Sequence, residues 1–218
     1  MGGGAPPVGP RQPGGWAFQI LPYMEQPAIY NSNNVCTVRQ SPVKGYFCPS
    51  RRSSVAFQKA AGGWAAGNAL MDYSASNQDR PDCWDGSFNS GTGVIRHGMS
   101  LTTLDIHDGT TNTIMIGEKR LCLATLGQGV GDDDHGYSIG WDVDTVSRTD
   151  FRPAPDPIKN CTVGCDPIWN GRFGSSHSGG FNAAMADGSV RRIGYSVSEA
   201  TFTNLGNTAD GNLLQNDY

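Results

Sequence analysis

The sequence predicts an α+β fold: a mainly antiparallel β-sheet, a short N-terminal helix packed on it, and long Gly/Pro-rich loops. Three observations carry that expectation. The 218 residues include 30 Gly and 13 Pro with no short repeat, which marks many turns and not a fibrous chain. The run Thr113-Ile114-Met115-Ile116-Gly117-Glu118 is almost continuously apolar, as a central strand should be. Asp187-Gly188 separates the apolar run Phe181 to Ala186 from Val190 to Tyr195, a hairpin signal with Val190, Arg192 and Gly194 on one face.

In chain order, residues 1–14 read as a Gly- and Pro-rich linker, residues 15–212 as one globular domain, and 213–218 as a frayed tail. Trp16, Ile20, Leu21, Met24 and Ala28 recur at helical spacing, so a helix of one to three turns is expected within 16–30. Pro22 suits its first turn, and Pro27 ends it by Tyr30. Residues 31–50 read as a loop and a short extended piece finishing at Tyr46-Phe47-Cys48-Pro49. Residues 51–100 read as surface excursions with short strands such as Asp72-Tyr73-Ser74-Ala75. Leu101 to Ile106 is a helical turn or short strand, closed by Asp108-Gly109-Thr110 in a second hairpin like that at Asp187. Ser178-Gly179-Gly180 is a tight turn opening the C-terminal meander, because glycine adopts positive φ without a Cβ penalty. Ser198 is a cap for a final helix through Leu205.

Composition excludes some classes. Net charge is −4 with 16 scattered Lys and Arg, so no basic stripe follows a phosphate backbone and nucleic-acid binding is not expected. No apolar run approaches the roughly 20 residues of a bilayer span. No secretory h-region stands in the sequence, which reads as soluble. Six cysteines, at 36, 48, 83, 122, 161 and 165, allow 15 pairings. Local guesses are Cys36 with Cys48 and Cys161 with Cys165, leaving Cys83 with Cys122; disulfides place the protein outside the cytoplasm.

Several constellations could carry chemistry. Asp132, Asp133, Asp134, Asp142 and Asp144 gather around His135, Tyr137 and Trp141 on a Gly-rich loop. Carboxylates so placed suit Ca²⁺, although the spacing is not that of an EF-hand. The same loop suits glycan chemistry, with Asp142, Asp144, Asp134 or Glu118 as acids and Trp141 and Tyr137 as sugar-stacking surfaces. A solvated acidic loop is the third reading, and all three stay open. Glu118 is a candidate buried acid, or the partner of Lys119 or Arg120. His177 and Asp187 invite pairing, but a strand over 181–186 rises about 3.3 Å per residue, setting its ends roughly 20 Å apart. They then serve a loop contact and a turn, not one reactive centre. No Gly-x-Ser-x-Gly elbow surrounds Ser175 or Ser176.

His177, nine intervening residues, then Asp187-Gly188 resembles the signature of the pilin-like DUF1559 proteins of planctomycete-type bacteria. Further stretches agree in order: Gly15-Trp16 through Leu21-Pro22-Tyr23-Met24-Glu25-Gln26, Phe47-Cys48-Pro49-Ser50, Asp108 to Ile114, Gly117-Glu118, and Gly140-Trp141-Asp142-Val143-Asp144. The resemblance covers about residues 15–212. It implies a type II pseudopilin-like protein with a β-rich head preceded by a cleavable N-terminus and a long apolar helix. The chain begins Met1-Gly2-Gly3-Gly4 without either. The expected function is therefore a non-catalytic, extracellular or cell-surface head whose partners are other pilin-like subunits or surface glycans, with His177, Asp187, Trp141 and Tyr137 as candidate binding residues. The alternatives are a glycoside hydrolase or glycan-binding module using 132–144, and a solute-binding protein.

Overall fold

The computed structural model describes residues 14–57, 67–77, 91–129, 133–159, 161, 171–214 and 218. The class is α+β, but the sheet is mixed. Five strands lie in the order β5-β3-β4-β6-β7, where β3 is Tyr73–Asn77, β4 Ile114–Glu118, β5 Val146–Arg148, β6 Gly180–Met185 and β7 Val190–Gly194. β3 pairs antiparallel with β4, β4 with β6, and β6 with β7, whereas β5 runs parallel to β3. A separate two-stranded ribbon joins β1 (Ala56–Phe57) to β2 (Asn68–Ala69). The apolar run 113–118 does occupy the centre, as β4.

The N-terminal helix is three single turns: α1 (Trp16–Gln19), a 3₁₀ turn (Leu21–Met24) and α2 (Pro27–Tyr30). Glu25, at φ 59°, breaks the path between the last two. Pro27 opens α2 instead of ending a longer helix, since the first helical position needs no N–H. A further helix, α3 (Val35–Gln40), lies where a loop was expected. Asn34 caps it, its side chain accepting from the N–H groups of Cys36 and Thr37. At the other end of the chain α4 (Glu199–Leu205) is capped by Ser198, whose Oγ accepts from Thr201 N–H at 3.2 Å.

Among the described residues two apolar clusters form. Alternation along β6 turns Phe181, Ala183 and Met185 to one face, where they meet Ile114, Ile193, Phe173 and, from α4, Phe202 and Leu205. The helix covering that face is thus the C-terminal one. The N-terminal turns build the other cluster, in which Phe18 and Leu21 join Val38, Tyr46, Phe47, Leu70, Met71 and Tyr137.

The two Asp-Gly steps differ. Asp187-Gly188 does close the β6–β7 hairpin, with a three-residue loop instead of two. Gly188 N–H bonds Met185 C=O, Met185 N–H bonds Ser189 C=O, and Gly188 sits at φ 83°. Asp108-Gly109 makes no hairpin; it leads into a 3₁₀ turn (Thr110–Asn112) before β4. Asp108 instead accepts from the backbone N–H groups of Asp210 and Gly211, pinning the C-terminal segment.

Cysteine pairing departs from the local guesses. Cys122 bonds Cys161 across a separation of 39 residues, while Cys36 and Cys48 are free thiols. Cys83 and Cys165 lie outside the described residues. A loop of that length predicts a loss of roughly 2–4 kcal/mol when the bridge is removed. Urea unfolding of Cys122→Ser/Cys161→Ser against the parent measures it; an unchanged midpoint would contradict it. No helix among the described residues is long and apolar enough to cross a membrane.

Candidate functional site

Glu118, the last residue of β4, is the centre of a site built by two loops. Its side chain is 1 % exposed. Oε2 accepts from Asn182 N–H at 2.7 Å, which holds the carboxylate against β6. Oε1 faces His177 Nε2 at 3.2 Å. The same Nε2 lies 3.6 Å from Cys48 Sγ. A thiol, an imidazole and a carboxylate therefore converge, and neither Lys119 nor Arg120 pairs with Glu118 as expected from sequence adjacency.

A buried ionic network positions both loops. Arg51, with its side chain wholly buried, places Nε 2.8 Å from Asp156 and Nη1 3.6 Å from Asp72, and donates to Lys119 C=O at 2.8 Å. Burial works to lower its pKa, but Asp156 and Asp72 outweigh that and hold the guanidinium above its usual value. Arg52 bridges Asp72 and Asp133. Asp72 also accepts from Cys48 N–H at 2.9 Å, fixing the Phe47-Cys48-Pro49 turn. On the other loop Ser176 Oγ donates to Asp156, and Ser175 Oγ donates to Gly180 C=O while accepting from His177 N–H. Two positions adjacent to the site residues in sequence are thus clamped by one salt-bridged core. Burial, then the Glu118 carboxylate, pushes the Cys48 thiol up, so it is not an activated nucleophile.

Beside this cluster runs an apolar groove of about 340 Å³ lined by Trp16, Ile20, Met24, Tyr46, Tyr73, Ile116, Ala184 and Val190. One wall is the N-terminal helical turns; the floor is the face of β4 and β6 opposite to Phe181. Tyr73 belongs to both features. It pairs with Glu118 across β3 and β4, and its phenol is pushed up to about 12 by burial, Cys48 and Glu118. The titratable cluster therefore stands at one end of the groove.

The acidic loop is distributed differently from its appearance in sequence. Asp132 lies outside the described residues. Asp133 is buried and bound to Arg52 Nη1 and Nη2, both at 2.7 Å, so its charge serves the ionic core. Asp134 and Asp144 lie 2.9 and 3.7 Å from His135 Nδ1, and Lys119 Nζ sits 2.9 Å from Asp144. Protein cations thus meet the charge of this cluster. Tyr137 is fully buried and donates its hydroxyl to Val38 and Ser41 carbonyls, so it offers no stacking surface. Trp141 is half-buried and meets the His97 ring edge-on at 5.8 Å. Asp187 is exposed in its turn, accepting from Ser189 N–H at 2.8 Å, at the far end of β6 from His177.

Two titrations here set opposite ends of a pH profile. Hydrogen bonds to Asp134 and Asp144 raise His135 from 6.5 to about 10 against the opposing effect of burial. Its stabilisation is complete below about pH 6.5 and is lost as pH rises through about 10. Burial, then Asp144, raises Asp142 from 3.8 to about 6, so its contribution fades as pH climbs from about 3.8 through 6. Unfolding free energy should therefore fall across both windows. His135→Gln flattens the alkaline fall and Asp142→Asn the acid one, measured by urea unfolding from pH 4 to 10; unaltered slopes would contradict the assignment.

Sequence reading singled out Glu118 and His177 separately and passed over Cys48 except as a disulfide candidate. The one available signal was that all three lie within the stretches Phe47-Cys48-Pro49-Ser50, Gly117-Glu118 and His177-x9-Asp-Gly that carried the family resemblance. No curated protein and no solved structure matches the chain. A family model described as "Protein of unknown function (DUF1559)" matches residues 1–200, and the chain belongs to that family.

Proposed function

We propose that the protein is the globular head of a pseudopilin-like subunit, acting outside the cytoplasm by docking and not by catalysis. The observation that carries this reading is the open apolar groove between the N-terminal turns and β4–β6. Its floor residues Ile116 and Ala184 are only half-buried and Val190 is 70 % exposed. An amphipathic helix laid along it would bury them, and the resemblance to pilin-like proteins names that occupant: the apolar helix of a pilin-type subunit. The Cys122–Cys161 disulfide supports an oxidising compartment. The test is immunodetection in the sheared surface fraction of the host. Recovery there, lowered at least about tenfold by Ala184→Arg, supports docking through the groove. Exclusive recovery in the cytoplasm, or no effect of the substitution, overturns it.

Glycan hydrolysis is a second reading, favoured by one observation. Asp142, raised to about 6, adjoins Asp144, which is paired with Lys119, and two carboxyls in unlike environments are how acid and base roles are divided. Turnover in a polysaccharide screen, abolished by Asp142→Asn, supports it; no turnover by the parent protein removes it.

A further inference from the structure

We propose that Cys48 Sγ, Glu118 Oε1 and His177 Nε2 form a binding site for a divalent transition-metal ion of the zinc class. The three donor atoms lie within 4.8 Å of one another. Their arrangement separates a metal site from a catalytic relay. In a thiol–imidazole–carboxylate relay the two ring nitrogens divide the work, one facing the thiol and the other the carboxylate. Here one nitrogen faces both partners, at 3.6 Å from the sulfur and 3.2 Å from the oxygen. Tetrahedral zinc, with bonds of about 2.3 Å to sulfur and about 2.1 Å to nitrogen and oxygen, sets S···N about 3.6 Å apart and N···O about 3.4 Å apart. The two separations match two edges of such a tetrahedron, and the third, from sulfur to oxygen, lies within 4.8 Å.

A second, independent observation is the state of Glu118. Its carboxylate is buried, one oxygen is anchored by Asn182 N–H, and the other is aimed at the convergence point, 3.2 Å from His177 Nε2. A buried carboxylate is paired or coordinates a metal, and a cation bound at that point supplies its counter-charge. The donor set also selects the ion. Thiolate, imidazole and carboxylate together suit zinc, whereas calcium and magnesium take oxygen ligands. Binding releases the Cys48 thiol proton to solvent, as formation of a thiolate ligand requires. The His177 side chain, 30 % exposed, leaves a path of entry. Among the described residues no fourth Cys, His, Asp or Glu joins the group, so water or a donor atom from a docked ligand completes the coordination.

Support comes from behind as well. Asp72 accepts from Cys48 N–H, Ser175 Oγ accepts from His177 N–H, and the buried Arg51 ties the two loops to one core. The site is held by the fold whether or not a helix occupies the neighbouring groove. The other trio of possible ligands, Asp134, His135 and Asp144, already receives Lys119 Nζ.

The experiment uses the full chain with its disulfide intact, stripped of metal and titrated with zinc chloride and cobalt chloride. Equimolar zinc uptake is expected, and the cobalt form should show a near-ultraviolet thiolate-to-metal charge-transfer band. Cys48→Ser should abolish that band, and Cys48→Ser and His177→Gln should each weaken zinc binding by more than about 100-fold. Cys36→Ser, altering the exposed thiol, should bind as the parent does. Thermal unfolding of each metal-free variant verifies its fold. Absence of stoichiometric binding by the parent, retention of it in both ligand variants, or its loss in Cys36→Ser overturns the proposal.

Discussion

Arg51→Met is expected to lower the unfolding free energy by about 3–5 kcal/mol, among the largest losses any single substitution should cause here. The methionine is close in length and apolar, so the cost is not a cavity. It arises because Asp156, whose side chain is only 1 % exposed, loses its cation while the Leu121 N–H and Ser176 O–H donors remain. The carbonyls of Lys119 and Gly174 lose a donor too. Asp72 retains Arg52, so the damage centres on Asp156. Arg51→Lys keeps the charge but not the fork that spans Asp156 and the carbonyls, and should recover part of the loss. Urea midpoints of the three proteins provide the measurement. A loss under about 1 kcal/mol for the methionine variant would mean that the network is solvated and not part of the core.

Phe202→Ala should cost a similar amount, about 3–5 kcal/mol, for a different reason. Phe202 is the apolar knob of α4. Its ring stands edge-on to both Phe173 and Phe181, each 6.0 Å away at an interplanar angle of 84°, while those two stack on each other at 5.4 Å. Removing it leaves a void bounded by the sheet, which cannot collapse without moving β6. Phe202→Leu, conserving most of the volume, should cost less than about 1.5 kcal/mol. Hydrogen exchange gives the sharper test: amides of 199–205 should lose protection in the alanine variant beyond the global change. Unchanged protection there would mean that α4 is held by its cap and not by this ring.

Both predictions concern interactions that join segments far apart in sequence, and the same property decides what could be read from the chain alone. β4, β6, β7 and α4 were legible because their signals are local. Alternation of Phe181, Ala183 and Met185 with Asn182 and Ala184, the Asp187-Gly188 turn, and Ser198 before an apolar helical face each act within a few residues. α3 was missed because its cap, Asn34, heads only six residues with a single buried side chain, Val38. The N-terminal helix was overextended because Pro27 can end one helix or begin another, and periodicity does not distinguish these.

The candidate site was legible only in pieces. Glu118 and His177 each stood out, yet adjacency pointed Glu118 toward Lys119, which instead reaches across to Asp144. Cys48 was assigned to Cys36, because loop closure favours near neighbours in the absence of tertiary information. The acidic run of 132–144 looked like one cluster. In the fold Asp133 is drawn to Arg52, Asp134 and Asp144 flank His135, and Tyr137 points inward.

By itself the sequence determined the class of fold, the central strand, the C-terminal hairpin and helix, and the family, because short-range periodicity, turn chemistry and ordered motifs carry these. Only the tertiary structure decided which strand runs parallel, which cysteines pair, and that Cys48, Glu118 and His177 meet. Those depend on contacts spanning as many as 129 residues, such as Cys48 to His177, whose energies reside in burial and charge pairing and leave no mark on neighbouring residues.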